Sequence, residues 1–245
     1  MQKYQTKIFS FMLFLILWQA LSLLINSDLF PSIIDIVKSL EEHIKNKDLF
    51  WNLFITLYRV FVAFFITMSI GIIFGLLMGF YKKVDDFFDF LLILGLNIPA
   101  LVTIIICYIW FGLTDFSAIL AVVINKVPIV IVNIREGTKA FDKKYMDFAK
   151  IYKLSRKEIF LNIYLPQLYP YLLATTRLSL SLIWKIVLVV ELLGRSDGIG
   201  FQISMFYQYF DISSILAYSF AFISVILLIE HKILKPIDNR LKVWK

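Results

Sequence analysis

Residues 142–166, Asp142 to Pro166, read DKKYMDFAKIYKLSRKEIFLNIYLP and form the longest charged segment of a strongly apolar chain. The segment carries Lys143, Lys144, Lys150, Lys153, Arg156 and Lys157, with Asp142, Asp147 and Glu158 among them, and both flanks are apolar enough for a membrane. Ser155 and Glu158 have the spacing of a capping box, in which each side chain satisfies a backbone donor left open at a helix start. Asp142 can cap an earlier helix in the same way. The pattern predicts two short helices that meet near Leu154 and Ser155 and stop at Pro166, which lacks a backbone donor. Two readings are open at this point. The segment is either a structured docking device between two spans, since an idle connector would be shorter or disordered, or a solvated basic loop held on the cytosolic side by its charge.

Composition places everything around that segment in a membrane. Hydrophobic residues make up 60% of the 245, charged residues 18%, and mean hydropathy is +0.81, far from a soluble domain. The length suits one membrane domain, residues 1–245, with 142–166 as a cytosolic segment inside it. A single cysteine, Cys107, excludes an internal disulfide and a Cys-based zinc site. His43 and His231 lie near opposite ends of the chain, so neither a metal centre nor any other cofactor is expected. There is no G-x-x-x-x-G-K-[ST] to cradle a nucleotide, and no carboxylate cluster or activated nucleophile, so no catalytic residue is assigned and the chain does not read as an enzyme. The net charge of +7 needs no nucleic-acid partner, because the position of the cations explains it.

Hydropathy predicts about six spans. The first is Ile8 to Ile25, retained because no small-x-small cleavage site follows it. After it, residues 27–50 are mixed in charge, and Ile33, Ile34, Ile36, Val37 and Leu40 have helical spacing, as for a helix at the membrane surface or an ordinary loop helix. The other spans are predicted at Trp51 to Phe80, Phe87 to Phe111 (interrupted by Asn97 and Pro99), Thr114 to Ile134, Leu168 to Leu193 and Ser213 to Ile233, each long enough for a bilayer. Gly194 to Asp211 reads as an extracytoplasmic connection. With both termini cytosolic, 17 of the 25 Lys and Arg are inside, four outside and four within spans, which is the positive-inside pattern. In the second span Ala63, Thr67, Gly71, Gly75 and Gly79 recur every fourth position, a face on which another helix can approach closely.

The fifth span is the most polar. Arg177, Trp184 and Glu191 fall at i, i+7 and i+14, on one face to within about 40°, and a face with Arg, Lys and Glu cannot meet lipid. It either lines a polar path or pairs its charges with neighbouring helices. Lys126 and Lys185 are the deepest cations, so they are the candidates for contact with an anionic solute, with Trp184 shaping the wall and Arg177 and Glu191 as further candidates.

The central segment also resembles a known family. Permease subunits of ABC importers carry a cytosolic motif of the form E-A-A-x3-G-x9-I-x-L-P before their penultimate span. Anchored on Ile163, Leu165 and Pro166, it falls here on Asp147, Phe148, Ala149 and Lys153, with Asp for Glu, the second Ala kept and Lys in place of Gly. Phe30-Pro31-Ser32, Thr56 to Val60, Asn97-Ile98-Pro99, Trp110-Phe111-Gly112, Arg177 through Trp184 to Glu191, and Gly198-Ile199-Gly200 resemble further family segments in the right order, and the sulfonate/taurine/nitrate-type branch is the most similar. The resemblance implies an all-α, type I importer permease domain of about six transmembrane helices, in a bacterial cytoplasmic membrane, with a coupling-helix pair between spans four and five. It implies contact of Asp147, Ala149, Lys153, Leu154, Ile163 and Pro166 with a separate ATPase subunit, alternating access, an extracytoplasmic substrate-binding protein and a second permease copy, as in a homodimer. A secondary transporter is the rival reading, although no inverted repeat is visible.

Overall fold

The structure is a computed structural model and describes residues 2–142, 144–145, 149 and 151–236; Asp147 lies outside them. Among the described residues the only regular structure is helical. The helices are α1 (Gln2–Ile25), α2 (Ile33–Lys45), α3 (Asp48–Phe80), α4 (Lys82–Asn97), α5 (Ala100–Phe111), α6 (Asp115–Lys139), α7 (Arg156–Gly194), α8 (Ile199–Gln208) and α9 (Ile212–Ile229). Among them α3, α6, α7 and α9 are long and apolar enough to cross a membrane, and α4 with α5 makes a fifth candidate if the bent pair is one span. The apolar part of α1, Phe9–Ile25, is shorter.

The interruption predicted at Asn97 and Pro99 in the third span is present and sharp: α4 and α5 meet at 96°, because Pro99 cannot donate and its predecessor Ile98 is held extended, at ψ 123°. Two expectations need correction. The predicted loop 194–211 contains a helix, α8. The helix after the central segment does not stop at Pro166 but runs from Arg156 through it. A wide turn, Phe160–Tyr164, precedes the proline, and the Leu165 N–H reaches back five residues to the Phe160 carbonyl. Such a π turn shifts the hydrogen-bond ladder, so the bond that Pro166 cannot make is bypassed.

Contacts sort the chain into two compact units. One comprises 2–56 and 191–236, the other 57–190; α3 and α7 contribute to both. In the first unit the Phe30-Pro31-Ser32 segment is stitched to α1. Trp18 Nε1 donates to the Pro31 carbonyl (3.0 Å), Ser22 Oγ to the Phe30 carbonyl (3.0 Å), and the Trp18 and Phe30 rings stack at 4.8 Å. Ser32 and Asp35 then form a capping box that starts α2. Its surface helix joins α9 through Ser39 and His43, both on Ser214 Oγ at 2.9 and 3.1 Å.

In the second unit the small-residue face of α3 meets α6. Gly71 lies against Val130 and Gly79 against Thr138, and a Cβ on Gly75 would stand 2.7 Å from the Ile134 Cβ. That closeness is what the four-residue repeat permits. A continuous core follows, built from Val60 and Ala63 of α3, Ile104 and Cys107 of α5, Ala121 and Val122 of α6, and Ile183 and Val187 of α7. The start of α4 is bound to the end of α6 by ions: Arg135 reaches Asp85 (3.1 Å) and Asp89 (2.7 Å), and Lys139 reaches Asp85 (2.6 Å).

Candidate functional site

Two groups of predicted residues lie in the second unit, and each is positioned by α6 and α7. The first group is the polar lining. Trp184 packs its ring partly against the α3–α5–α6–α7 core, and Val127, next to Lys126, packs on the same core. Lys185 is exposed, with Nζ 5.6 Å from the Trp184 ring centroid, a cation over an aromatic face. Lys126 is half-buried; among the described residues it has no hydrogen-bond or ion-pair partner. A lysine within an apolar helix costs at least about 2.5 kcal/mol on insertion scales, and no carboxylate among the described residues offsets that cost. Arg177 is half-buried one turn and more before Ser181, on the same helix.

The second group is the central segment. Ser155 and Glu158 form the expected capping box, with Ser155 N–H donating to Glu158 Oε2 (2.8 Å) and Glu158 N–H to Ser155 Oγ (3.3 Å). Asp142 Oδ1 accepts the Lys144 N–H at 2.9 Å, as a helix-starting aspartate does. Lys153, at the motif's Gly position, has φ 50°. The left-handed turn of the motif is therefore kept although the residue that favours it is not. The Leu154 N–H closes that turn on the Ala149 carbonyl at 3.0 Å. Ala149 is buried at 1% exposure and Ile163 at 7%, so both support the segment from inside the chain. Ile151 at 76% and Tyr152 at 63% are the most exposed of its large apolar side chains among the described residues, ahead of Tyr145 at 54%. Pro166 is exposed and Leu154 half-buried.

Glu191 belongs to the first unit and to a different constellation. Its side chain is fully buried. Oε2 accepts Thr56 Oγ1–H (2.9 Å) and the Gly200 N–H (2.9 Å), while Thr56 Oγ1 accepts the Ile199 N–H (2.8 Å) and Asn52 Oδ1 the Gly198 N–H (2.8 Å). One carboxylate and two neutral side chains thus satisfy the open N–H groups at the start of α8. Sequence reading marked Glu191 for its place on a helix face; its partner Thr56, and Asn52 beside it on α3, carried no such polar-face signal. Nor did Arg59, which is buried at 1% exposure and bonds Asp115 Oδ1 through Nε at 2.7 Å in the second unit. The available signals were its place in the Thr56 to Val60 family segment and an arginine in an apolar run, with an aspartate at a later helix start.

These elements have counterparts in known proteins. The permease protein SsuC of Bacillus subtilis, named for aliphatic sulfonates transport, is 28% identical over 89% of this chain and 83% of its own. The nitrate import permease protein NrtB of Synechococcus elongatus is 28% identical over 78% of this chain and 72% of its own. Among solved structures, the MetNI methionine ABC transporter in inward-facing conformations superposes with a TM-score of 0.63 at 15% identity, over 78% of this chain and 94% of that one, and so shares the fold. Residues 68–230 match the family described as binding-protein-dependent transport system inner membrane component, a range that contains α4 to α9 entirely and the end of α3. The chain therefore belongs to that family, the permease components of ABC importers.

Proposed function

We propose that the chain is the subunit through which an ABC importer moves a small sulfonate- or nitrate-like anion across the cytoplasmic membrane. A separate ATPase subunit docks on the 142–166 segment, an extracytoplasmic substrate-binding protein delivers the anion, and a second copy of the chain completes the path. Both termini lie in the cytosol, and the apolar part of α1 supplies a sixth span. Docking uses the exposed Ile151 and Tyr152, with Ala149 and Ile163 as buried support beneath them.

The observation that carries the anion reading is Lys126: half-buried within a membrane helix and without an ion-pair partner among the described residues. A charge in that position is retained where water or a transient counter-ion reaches it. Lys185, exposed beside the Trp184 face, adds positive potential from α7. Relatives named for sulfonate and nitrate transport support the same solute class. The test is uptake into proteoliposomes of the assembled complex with anionic and neutral candidate solutes. Lys126→Met and Lys185→Met each lower uptake of the anion about tenfold, the size expected for loss of one charge-assisted contact, and leave assembly intact. An unchanged rate for every solute in both variants sinks the cation-site reading.

A further inference from the structure

The 142–166 segment is joined to the helix bundle through two compliant links. On one side α6 ends at Lys139, and Phe141 and Asp142 are non-helical. On the other side stands the π turn Phe160–Tyr164, whose widened ladder is a usual place for a helix to yield. One side chain bridges the two links. Gln167 Oε1 accepts the Asp142 backbone N–H at 3.1 Å, and Gln167 Nε2 donates to the Ile163 carbonyl at 3.2 Å. Its partners determine the orientation of the amide, because one is only a donor and the other only an acceptor. At the same two links three rings meet. Phe80 and Phe141 lie 6.0 Å apart, Phe80 and Tyr164 5.0 Å, and Phe141 and Tyr164 4.7 Å. Phe80 ends α3, Phe141 follows α6, and Tyr164 closes the π turn, so the rings gather three helices at the root of the segment.

We propose that Gln167 is a positioning residue for energy coupling, whose amide locks the first residue of the segment to α7 so that a displacement imposed on the segment reaches α3, α6 and α7 together. This rests on the reading of the segment as the docking site of an ATPase subunit. A lever passes on motion only if its attachment is stiffer than the load. Without the amide, the two compliant links yield first and the displacement is spent at the root.

Gln167→Met keeps length and packing and removes both bonds. Gln167→Glu keeps the acceptor for the Asp142 N–H and loses only the donor to Ile163. Complexes assembled with the ATPase subunit are measured for yield, ATP hydrolysis and solute moved per ATP. Gln167→Met assembles and hydrolyses ATP like the wild type but moves about fivefold less solute per ATP, the scale of one lost hydrogen bond in a two-state coupling. Gln167→Glu recovers at least about half of the wild-type ratio, since the inter-segment bond is the one it retains. A wild-type ratio in Gln167→Met, a ratio in Gln167→Glu as low as in Gln167→Met, or failure of Gln167→Met to assemble each overturns the proposal. A wild-type complex whose uptake does not depend on ATP refutes the underlying reading instead, and the two failures are told apart by that control.

Discussion

Lys153 and Gly198 both sit at positive φ, 50° and 99°, and the two positions respond oppositely to substitution. At Lys153 the backbone is in the left-handed helical region, which costs an L-residue roughly 1–2 kcal/mol. Glycine removes that cost and adds about 0.5–1 kcal/mol of chain entropy loss. Lys153→Gly is therefore neutral to slightly stabilising, within about 1 kcal/mol, while its transport is kept. At Gly198 a Cβ would stand 2.5 Å from the buried Glu191 carboxylate carbon, and the backbone region is one that only glycine reaches readily. Gly198→Ala loses roughly 1–3 kcal/mol from strain alone, with displacement of the carboxylate that holds α8 in addition. Thermal unfolding of the purified variants in detergent reads both. A lower melting temperature for Lys153→Gly than for Gly198→Ala contradicts the assignment.

Among the elements, α3 and α6 pack closely, and the reason is the side chains that are missing. Gly75 faces Ile134 with no room for a methyl group. Gly75→Leu overpacks the seam and costs about 1–3 kcal/mol or more. Ile73→Leu, on the outward side of the same helix at 57% exposure, changes stability little. Equal loss of folded protein in the two variants, measured by size-exclusion after graded heating, refutes the seam. The pattern of small residues was legible because a four-residue repeat marks one helix face whatever its partner. The partner was not, since Val130, Ile134 and Thr138 look like any membrane-helix residues. The course of α7 was misjudged for a related reason. Proline argues locally for a stop, but a π turn preserves the helix through Pro166, and only the arrangement around Tyr164 shows where that turn lies.

At the scale of the whole molecule, the proposed orientation, drawn from the distribution of cations, puts the 142–166 segment in the cytosol and α2 and residue 196 on the opposite side. Lys45→Cys and Ser196→Cys are labelled in intact cells by an impermeant thiol reagent, and Lys144→Cys is labelled only after the membrane is opened. Cys107, the native thiol, is buried at 3% exposure and gives little background. Labelling of Lys144→Cys from outside reverses the orientation and removes the segment from reach of an ATPase.

Composition, hydropathy and residue order were sufficient for the membrane class, the all-helical architecture, the family and the capping box at Ser155, because each depends on neighbours within a few turns of one helix or on averages along the chain. The partners of buried polar groups were not legible in the same way. Thr56 and Asn52 lie 135 and 146 residues from Glu191 and Gly198, and Gln167 lies 25 from Asp142. A hydrogen bond between such residues is chosen by which helix faces meet, and periodicity along one helix says only that a face is turned inward. Which group it finds there is decided by the tertiary structure, where most buried donors and acceptors are matched at close to 3 Å.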